Sequence, residues 1–276
     1  MADISEISVK LKQSRDGVWH SSKKISVSYP VDGNLWCGQV EDRSYWFIHR
    51  NRVIREVLRK FPPKGWVADI GGGNGFVAQF LQKSGYEMVL VEPGEDGIRL
   101  AQQRGIRQIV GTTLQDAEFQ PNSIPAAGLF DTLEHIRDDL GILKDLHGIL
   151  KPGGRLYITV PSYQGLRSVE DDYVGHVHRY SRKALIRILD QAGFVMDYSS
   201  YFFTFLIFPI FFLRSLPYRL GLVKKFDEKW FIRQLDPESP FLDRLVYPLL
   251  NWEVKRIVGT RSIVFGSSLI VAASKK

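Results

Sequence analysis

The chain has 276 residues, 44% hydrophobic and 24% charged, the balance of a globular protein with one large core and a modest appendage. A single cysteine, Cys37, excludes an internal disulfide framework and a cysteine-rich metal centre, and suits a reducing, cytoplasmic setting. The formal net charge of +7 favours anionic partners such as phosphates, anionic lipid or nucleic acid, and the opening Met-Ala-Asp-Ile-Ser-Glu shows no basic and apolar leader pattern.

The first forty residues read as an irregular arm punctuated by Pro30, Gly33 and Gly38. A helical pattern follows from Arg43 to Phe61, with Trp46, Val53, Ile54, Val57 and Leu58 near one face and Arg50, Arg52, Arg55 and Arg59 elsewhere; Pro62-Pro63 stops it. Next, Val67-Ala68-Asp69-Ile70 reads as a strand, Gly71-Gly72-Gly73-Asn74-Gly75 as a tight turn, and Phe76 to Leu81 as the start of a helix. Strand, glycine turn and helix in this order form a nucleotide-binding corner, because glycine lets the backbone turn sharply and a ligand come close. A dinucleotide fingerprint would place a third glycine where Phe76 stands. Asp69, two residues before Gly71, would instead suit a cationic cofactor. A second apolar run, Met88 to Val91, ends in Glu92, an acid able to accept hydrogen bonds from both hydroxyls of a ribose.

These residues resemble motif I and the following acidic position of class I S-adenosylmethionine (SAM)-dependent methyltransferases. Further short strands are expected at Ile109-Val110-Gly111 and Ala127 to Phe130, a helix from about Asp139 to Leu150, and a strand from Arg155 to Val160. The segments LFDTLEHIRDD and LKPGGRLYITVP are similar to the fourth and fifth strand regions of the ubiquinone-methyltransferase-like branch. The resemblance covers roughly residues 65 to 201 and returns at the C-terminus. One small departure, Ile124-Pro125-Ala126, leaves the start of the fourth strand open.

Ser181 is a natural N-cap for a helix through Ala192, which Gly193 stops, before a sixth strand at Phe194 to Tyr198. The seventh strand, Ser268 to Ala273, comes only after a long insertion. Within it Phe202 to Leu213 is almost wholly apolar, too short for the roughly 20 residues of a bilayer span, and is followed by Arg214, Arg219, Lys224 and Lys225. Three readings stand for it: a lid packed on the core, a wall for a lipid-like substrate, or peripheral membrane contact through 202–225. Pro209 predicts a kink or break in any helix there.

The resemblance implies an α/β fold: a Rossmann-like, seven-stranded sheet with helices on both faces and a mainly helical insertion between the last two strands. It divides the chain into an arm and cap helix (1–62), a SAM-binding core (63–201), a substrate cap (202–265) and a last core strand (266–276). For the cofactor it implies Asp69, Gly71, Gly72 and Gly73 at the turn, Glu92 and Pro93 at the ribose, Thr113 and Leu114 near adenine, and Phe130 and Asp131 near the methionine portion. Tyr45 and Arg50 reach it from the preceding helix.

Methyl transfer mainly requires alignment, and an oxygen acceptor also needs a base. His135, just after the fourth strand, is the first candidate, then His176 and His178 in the GHVHRYS loop, where Arg179 could hold an anionic acceptor and Tyr180 pack against it. Asp131-x-x-Glu134-His135 has the composition of a divalent-cation site, but cofactor contact and structural hydrogen bonds are the favoured account of it, and no metal is assigned. The reading is therefore a methyltransferase for a small or lipid-like acceptor, at oxygen. A non-catalytic SAM-fold module and a nicotinamide-dependent reductase remain as alternatives. Nucleic acid is not expected, because no Asn/Asp-Pro-Pro-Tyr/Phe motif occurs and the basic residues are scattered.

Overall fold

The computed structural model describes residues 2–22, 33–223, 225–227, 244 and 246–276. Lys224 and Pro30 therefore lie outside the described residues. Among the described residues nine strands join one sheet: β1 (Lys12–Gln13), β2 (Trp19–His20), β3 (Val67–Ile70), β4 (Met88–Val91), β5 (Ile109–Gly111), β6 (Ile124–Phe130), β7 (Leu150–Pro161), β8 (Phe194–Phe202) and β9 (Ser268–Lys275). Their order is β1-β2-β5-β4-β3-β6-β7-β9-β8. From β2 to β7 neighbours run parallel; β9 is antiparallel to both β7 and β8.

Seven of these strands make the class I order, and β1 and β2 are additions. The described part of the arm is ordered: it has a helical turn at Ile4–Ile7, and the β1–β2 pair extends the sheet beyond β5, with Trp19 registered on Val110. Ile4 and Leu11 bury into the core and Ser8 Oγ donates to the Ala117 carbonyl at 2.7 Å. The stretch Gly33–Val40, also read as irregular, is helical. The fourth strand starts at Ile124, with a register shift between Ile124 and Ala126 where Pro125 cannot donate to the ladder.

Parallel strands covered on both faces are apolar throughout, and successive residues supply opposite layers. Val67 joins the layer of Val53, Ile54, Val57 and Leu58, on the helix Tyr45–Lys60, whereas Ala68 joins the layer of Leu143, Leu146, Leu185 and Leu189. The helices Asp139–Ile149 and Arg182–Gln191 carry the latter group, and Ser181 caps the second by accepting from the Ala184 amide at 3.2 Å.

Between β8 and β9 the chain turns back over the carboxyl edge of the sheet. The corner is Phe203, held at φ +56°. A 3-10 turn at Thr204–Leu206 runs into helix over Ile207–Ile210, a π turn at Phe211–Ser215 and helix again at Leu216–Arg219. The run does not break at Pro209. It absorbs the proline by passing into the wider π turn. Among the described residues no helix is long and apolar enough to cross a membrane.

The last helix, Tyr247–Val258, lies along Tyr45–Lys60: Arg52 donates to Asn251 at 2.7 Å and Lys60 to the Val258 carbonyl at 3.0 Å. At their centre Glu253 is fully buried, with His49 Nε2 at 2.9 Å and the Phe203 and Thr204 amides donating to it at 2.9 and 2.7 Å. Burial alone would raise its pKa, but His49 and Thr204 outweigh this and hold the carboxyl below its usual range. Removing one partner from such a cluster strands the others without water. Glu253→Ala should therefore lower stability by about 3–5 kcal/mol in urea unfolding. A loss below about 1 kcal/mol, the size of an exposed pair, would refute this role.

Candidate functional site

A cavity of about 410 Å³ opens at the carboxyl ends of β3, β4, β6 and β7, beneath the segment that follows β8. Its floor is the glycine turn. Gly71 has φ +66°, a left-handed conformation that disfavours side chains, and a Cβ on Gly72 would stand 2.3 Å from Leu90 Cδ1 and 2.7 Å from Asp69 Cγ. Asp69 sits fully buried beneath, and neither carboxylate oxygen has a hydrogen-bond partner. Burial raises its pKa to about 7, with Arg50 opposing and Glu92 reinforcing the rise. An orphaned buried acid beside a close-approach turn fits a cationic ligand, which would supply the missing partner.

Glu92, at the end of β4, accepts from the Gly73 amide at 2.9 Å and the Gly94 amide at 2.7 Å. Burial raises its pKa, while these two bonds oppose the rise. Pro93 follows it in the wall. After β6, Asp131 adopts φ +55° and is held from two sides, by Arg50 Nη1 at 2.7 Å and Thr159 Oγ1 at 2.9 Å. Arg50 is itself buried, its guanidinium 5.3 Å from the Trp46 ring and 5.2 Å from that of Phe47. Tyr45, Phe130 and the turn glycines complete this half.

The other half carries the imidazoles. His135 and His176 meet at a ring separation of 4.8 Å. Burial, then the neighbouring His176, pushes the His135 pKa down to about 4, despite the carbonyls of Gly175 and Val174. Glu134 is buried behind them with both oxygens unpartnered, and burial, then Asp131, raises its pKa well above the usual range. Ligand atoms of Glu134, His135 and His176 lie within 4.8 Å of one another. Asp131, the acid singled out in the sequence beside Glu134 and His135, is instead engaged by Arg50 and Thr159. The remaining wall is apolar: Leu206, Pro209, Ile210 and Leu213 from the segment after β8, with Arg214 beyond them.

The cavity thus brings together Tyr45, Arg50, Asp69, Gly71, Gly72, Gly73, Glu92, Pro93, Phe130, Asp131, His135, His176 and Arg179. Thr113, Leu114, His178 and Tyr180 do not line it. Thr113 Oγ1 caps the short helix Leu114–Ala117 through the Asp116 amide at 3.1 Å, and Leu114 packs in the core. His178 buries an unpartnered Nε2, its ring 5.8 Å from that of Tyr180, whose hydroxyl donates to Asp139 Oδ2 at 3.0 Å. Asp171 and Glu170, which line the cavity, are not among the predicted residues, although Ser168-x-x-Asp171 is a legible capping-box pattern.

Asp69 makes one property of the unliganded protein testable. Folded, its carboxyl titrates near 7; unfolded, it returns to its ordinary 3.8. The folded state holds more protons between these values, so the stability associated with the neutral form is full below the unfolded pKa and is lost as pH rises to about 7. Asp69→Asn should remove this loss, raising the urea midpoint at pH 8 relative to that at pH 5 when compared with wild type. An unchanged pH dependence would show that Asp69 titrates like an exposed acid.

Residues 45–199 match the family described as methyltransferase domain, which covers more than half of the chain. The ubiquinone biosynthesis O-methyltransferase of Aliivibrio fischeri (strain MJ11) is 25% identical over 115 residues, 40% of this chain and 48% of that protein; the chain spans about half the length of the curated relatives it matches. Two solved structures share the fold. The methyltransferase of a Haloferax volcanii complex with the Trm112 methyltransferase activator superposes with a TM-score of 0.57 at 15% identity, over 90% of this chain and 99% of the other. A SAM-dependent methyltransferase from Thermotoga maritima gives 0.54 at 17% identity, over 89% and 98%. With the class I strand order and the glycine corner in place, the chain belongs to the methyltransferase-domain family and has the architecture of its class I, SAM-dependent members.

Proposed function

We propose that the chain is a SAM-dependent methyltransferase that modifies a small, lipid-like acceptor at oxygen. One observation carries the acceptor: the apolar wall of Leu206, Pro209, Ile210 and Leu213 shares a cavity with His135 and His176. An acceptor with a hydroxyl head and an apolar body satisfies both. The curated relatives, named as O-methyltransferases, support the choice of oxygen. The nicotinamide alternative is left without support by the family match.

SAM, when bound, supplies an electrophilic methyl group on a positively charged sulfur. Asp69 and the turn Gly71-Gly72-Gly73 would take its charged portion, Glu92 and Pro93 its ribose, and Tyr45, Arg50, Phe130 and Asp131 its methionine end. Thr113 and Leu114 would set the loop nearest the adenine. The imidazole pair would take the acceptor's proton, with Glu134, which burial pushes towards its neutral form, behind it. His178, Arg179 and Tyr180 shape the loop that presents His176. In this reading the cap helix within residues 1–62 covers the cofactor, 63–201 bind it, 202–265 enclose the acceptor and 266–276 close the sheet. The protein would work in the cytoplasm, with peripheral membrane contact through 202–225, where Phe208 and Phe212 are 65% and 56% exposed.

Methyl-labelled SAM with nonylphenol, phenol and nonylamine tests the acceptor. Label should pass to nonylphenol with kcat/KM at least about tenfold above phenol, a gain that about two buried methylenes would supply at roughly 0.8 kcal/mol each. Transfer to the amine alone would reject oxygen, and equal use of the two phenols would reject the apolar wall. A chelator should leave turnover unchanged. Loss of turnover, restored by a divalent cation, would make Glu134, His135 and His176 ligands instead.

A further inference from the structure

The loop after β7 holds a carboxylate that the reading above does not use. Asp171 is 1% exposed and accepts four hydrogen bonds. Its Oδ2 takes the Ser168 amide at 2.8 Å and the Ser168 hydroxyl at 3.3 Å, closing the capping box of the helix Val169–Val174. Its Oδ1 takes Arg179 Nε at 2.8 Å and faces His176 Nδ1 at 2.7 Å. The backbone repeats the tie, since the His176 amide donates to the Asp171 carbonyl at 2.8 Å. Arg179 is fixed in turn by donating to the Ser162 carbonyl at 3.1 Å.

Burial would favour a neutral Asp171, but His176 and Arg179 outweigh it and hold the carboxyl well below its usual range. An ionised carboxylate only accepts. The ring nitrogen facing it at 2.7 Å must therefore carry the proton, which leaves Nε2 with the lone pair. That nitrogen lies 3.9 Å from Glu134 Oε1, outside hydrogen-bond reach, on a side chain that lines the cavity.

We propose that Asp171 is a positioning residue that fixes the tautomer of His176 and so makes Nε2 the base for the acceptor hydroxyl. This rests on the methyl-transfer reading given above. The proton passes from the acceptor oxygen to Nε2, the oxygen keeps the electron pair of that bond, and the imidazolium formed is balanced by the Asp171 carboxylate. His135 presses its ring on His176 and limits its rotation, while Arg179 keeps Asp171 charged.

The test uses full-length protein labelled with ¹⁵N in its histidines, in EDTA, read by long-range ¹H–¹⁵N correlation at pH 8, the His176 signals being identified by their loss in His176→Gln. Wild type should show the proton on Nδ1. Asp171→Asn, able to offer an N–H to Nδ1, should abolish that preference and lower kcat on nonylphenol at least about hundredfold with KM within threefold. Ser181→Ala, which removes the cap bond of the next helix and leaves Asp171 and His176 untouched, should keep the wild-type tautomer and kcat. A proton on Nε2 in wild type, or an unchanged tautomer or kcat in Asp171→Asn, overturns the assignment, as does an equal tautomer shift in Ser181→Ala. Calorimetric titration with S-adenosylhomocysteine separates the two levels. Failure of wild type to bind it removes the methyl-transfer reading, whereas binding with a wrong tautomer removes only the role of Asp171.

Discussion

Glu253 collects three parts of the chain that have no covalent reason to be together. It receives a proton-bearing nitrogen from the helix that leads into the sheet, two amides from the turn that leaves β8, and is itself borne by the last helix before β9. The turn needs that support. Phe203 occupies a left-handed conformation that a bulky residue adopts only when its surroundings over-determine it. Its ring stacks on Trp46 at 5.6 Å, one turn from the arginine that holds Asp131. The roof of the cavity and the wall that carries Arg50 thus hang from one carboxylate. Neither could shift without breaking bonds that no water replaces.

In the cavity and just behind it, fixed charge is graded. Asp69 and Glu134 are acids without partners, and burial holds both toward the neutral form. Asp131 and Asp171 each have an arginine and at least one further donor. The unpaired acids are those that a ligand would complete, and the paired ones hold other side chains in place. Environment alone separates these roles, since all four are carboxylates, three in the cavity lining and Glu134 buried behind it.

The corner at Asp69 to Gly75 and the acid at Glu92 were legible because their signal is local: a strand, a turn and a helix within a dozen residues. The same holds for Ser181 as an N-cap. What escaped is non-local. Two-residue strands at Lys12–Gln13 and Trp19–His20 carry no periodicity, and only pairing with β5 makes them strands. Asp171 reads as a cap in sequence, and its bonds to His176 and Arg179 appear once the loop closes on itself. His178 has the same chemistry as His176 two residues earlier, but its ring lies beside Tyr180 and does not line the cavity. Pro209 signals a break by its missing donor, and the chain meets it by widening the following turn.

The arm bears on how the molecule behaves among copies of itself. A sheet edge offers unpaired amides and carbonyls to any other strand. Here the edge beside β5 is taken by β2 and closed by β1, so what faces outward is two residues long and bears Lys12. At the opposite end β8 is long, but its register shifts between Met196 and Tyr198, and Asp197 there pairs with Arg155. A charged, bulged strand at one end and a two-residue hairpin at the other leave little straight ladder to extend. The hairpin thus protects the sheet against growth by strand addition, a task unrelated to the cavity and one that ties solubility to the first twenty residues of the chain.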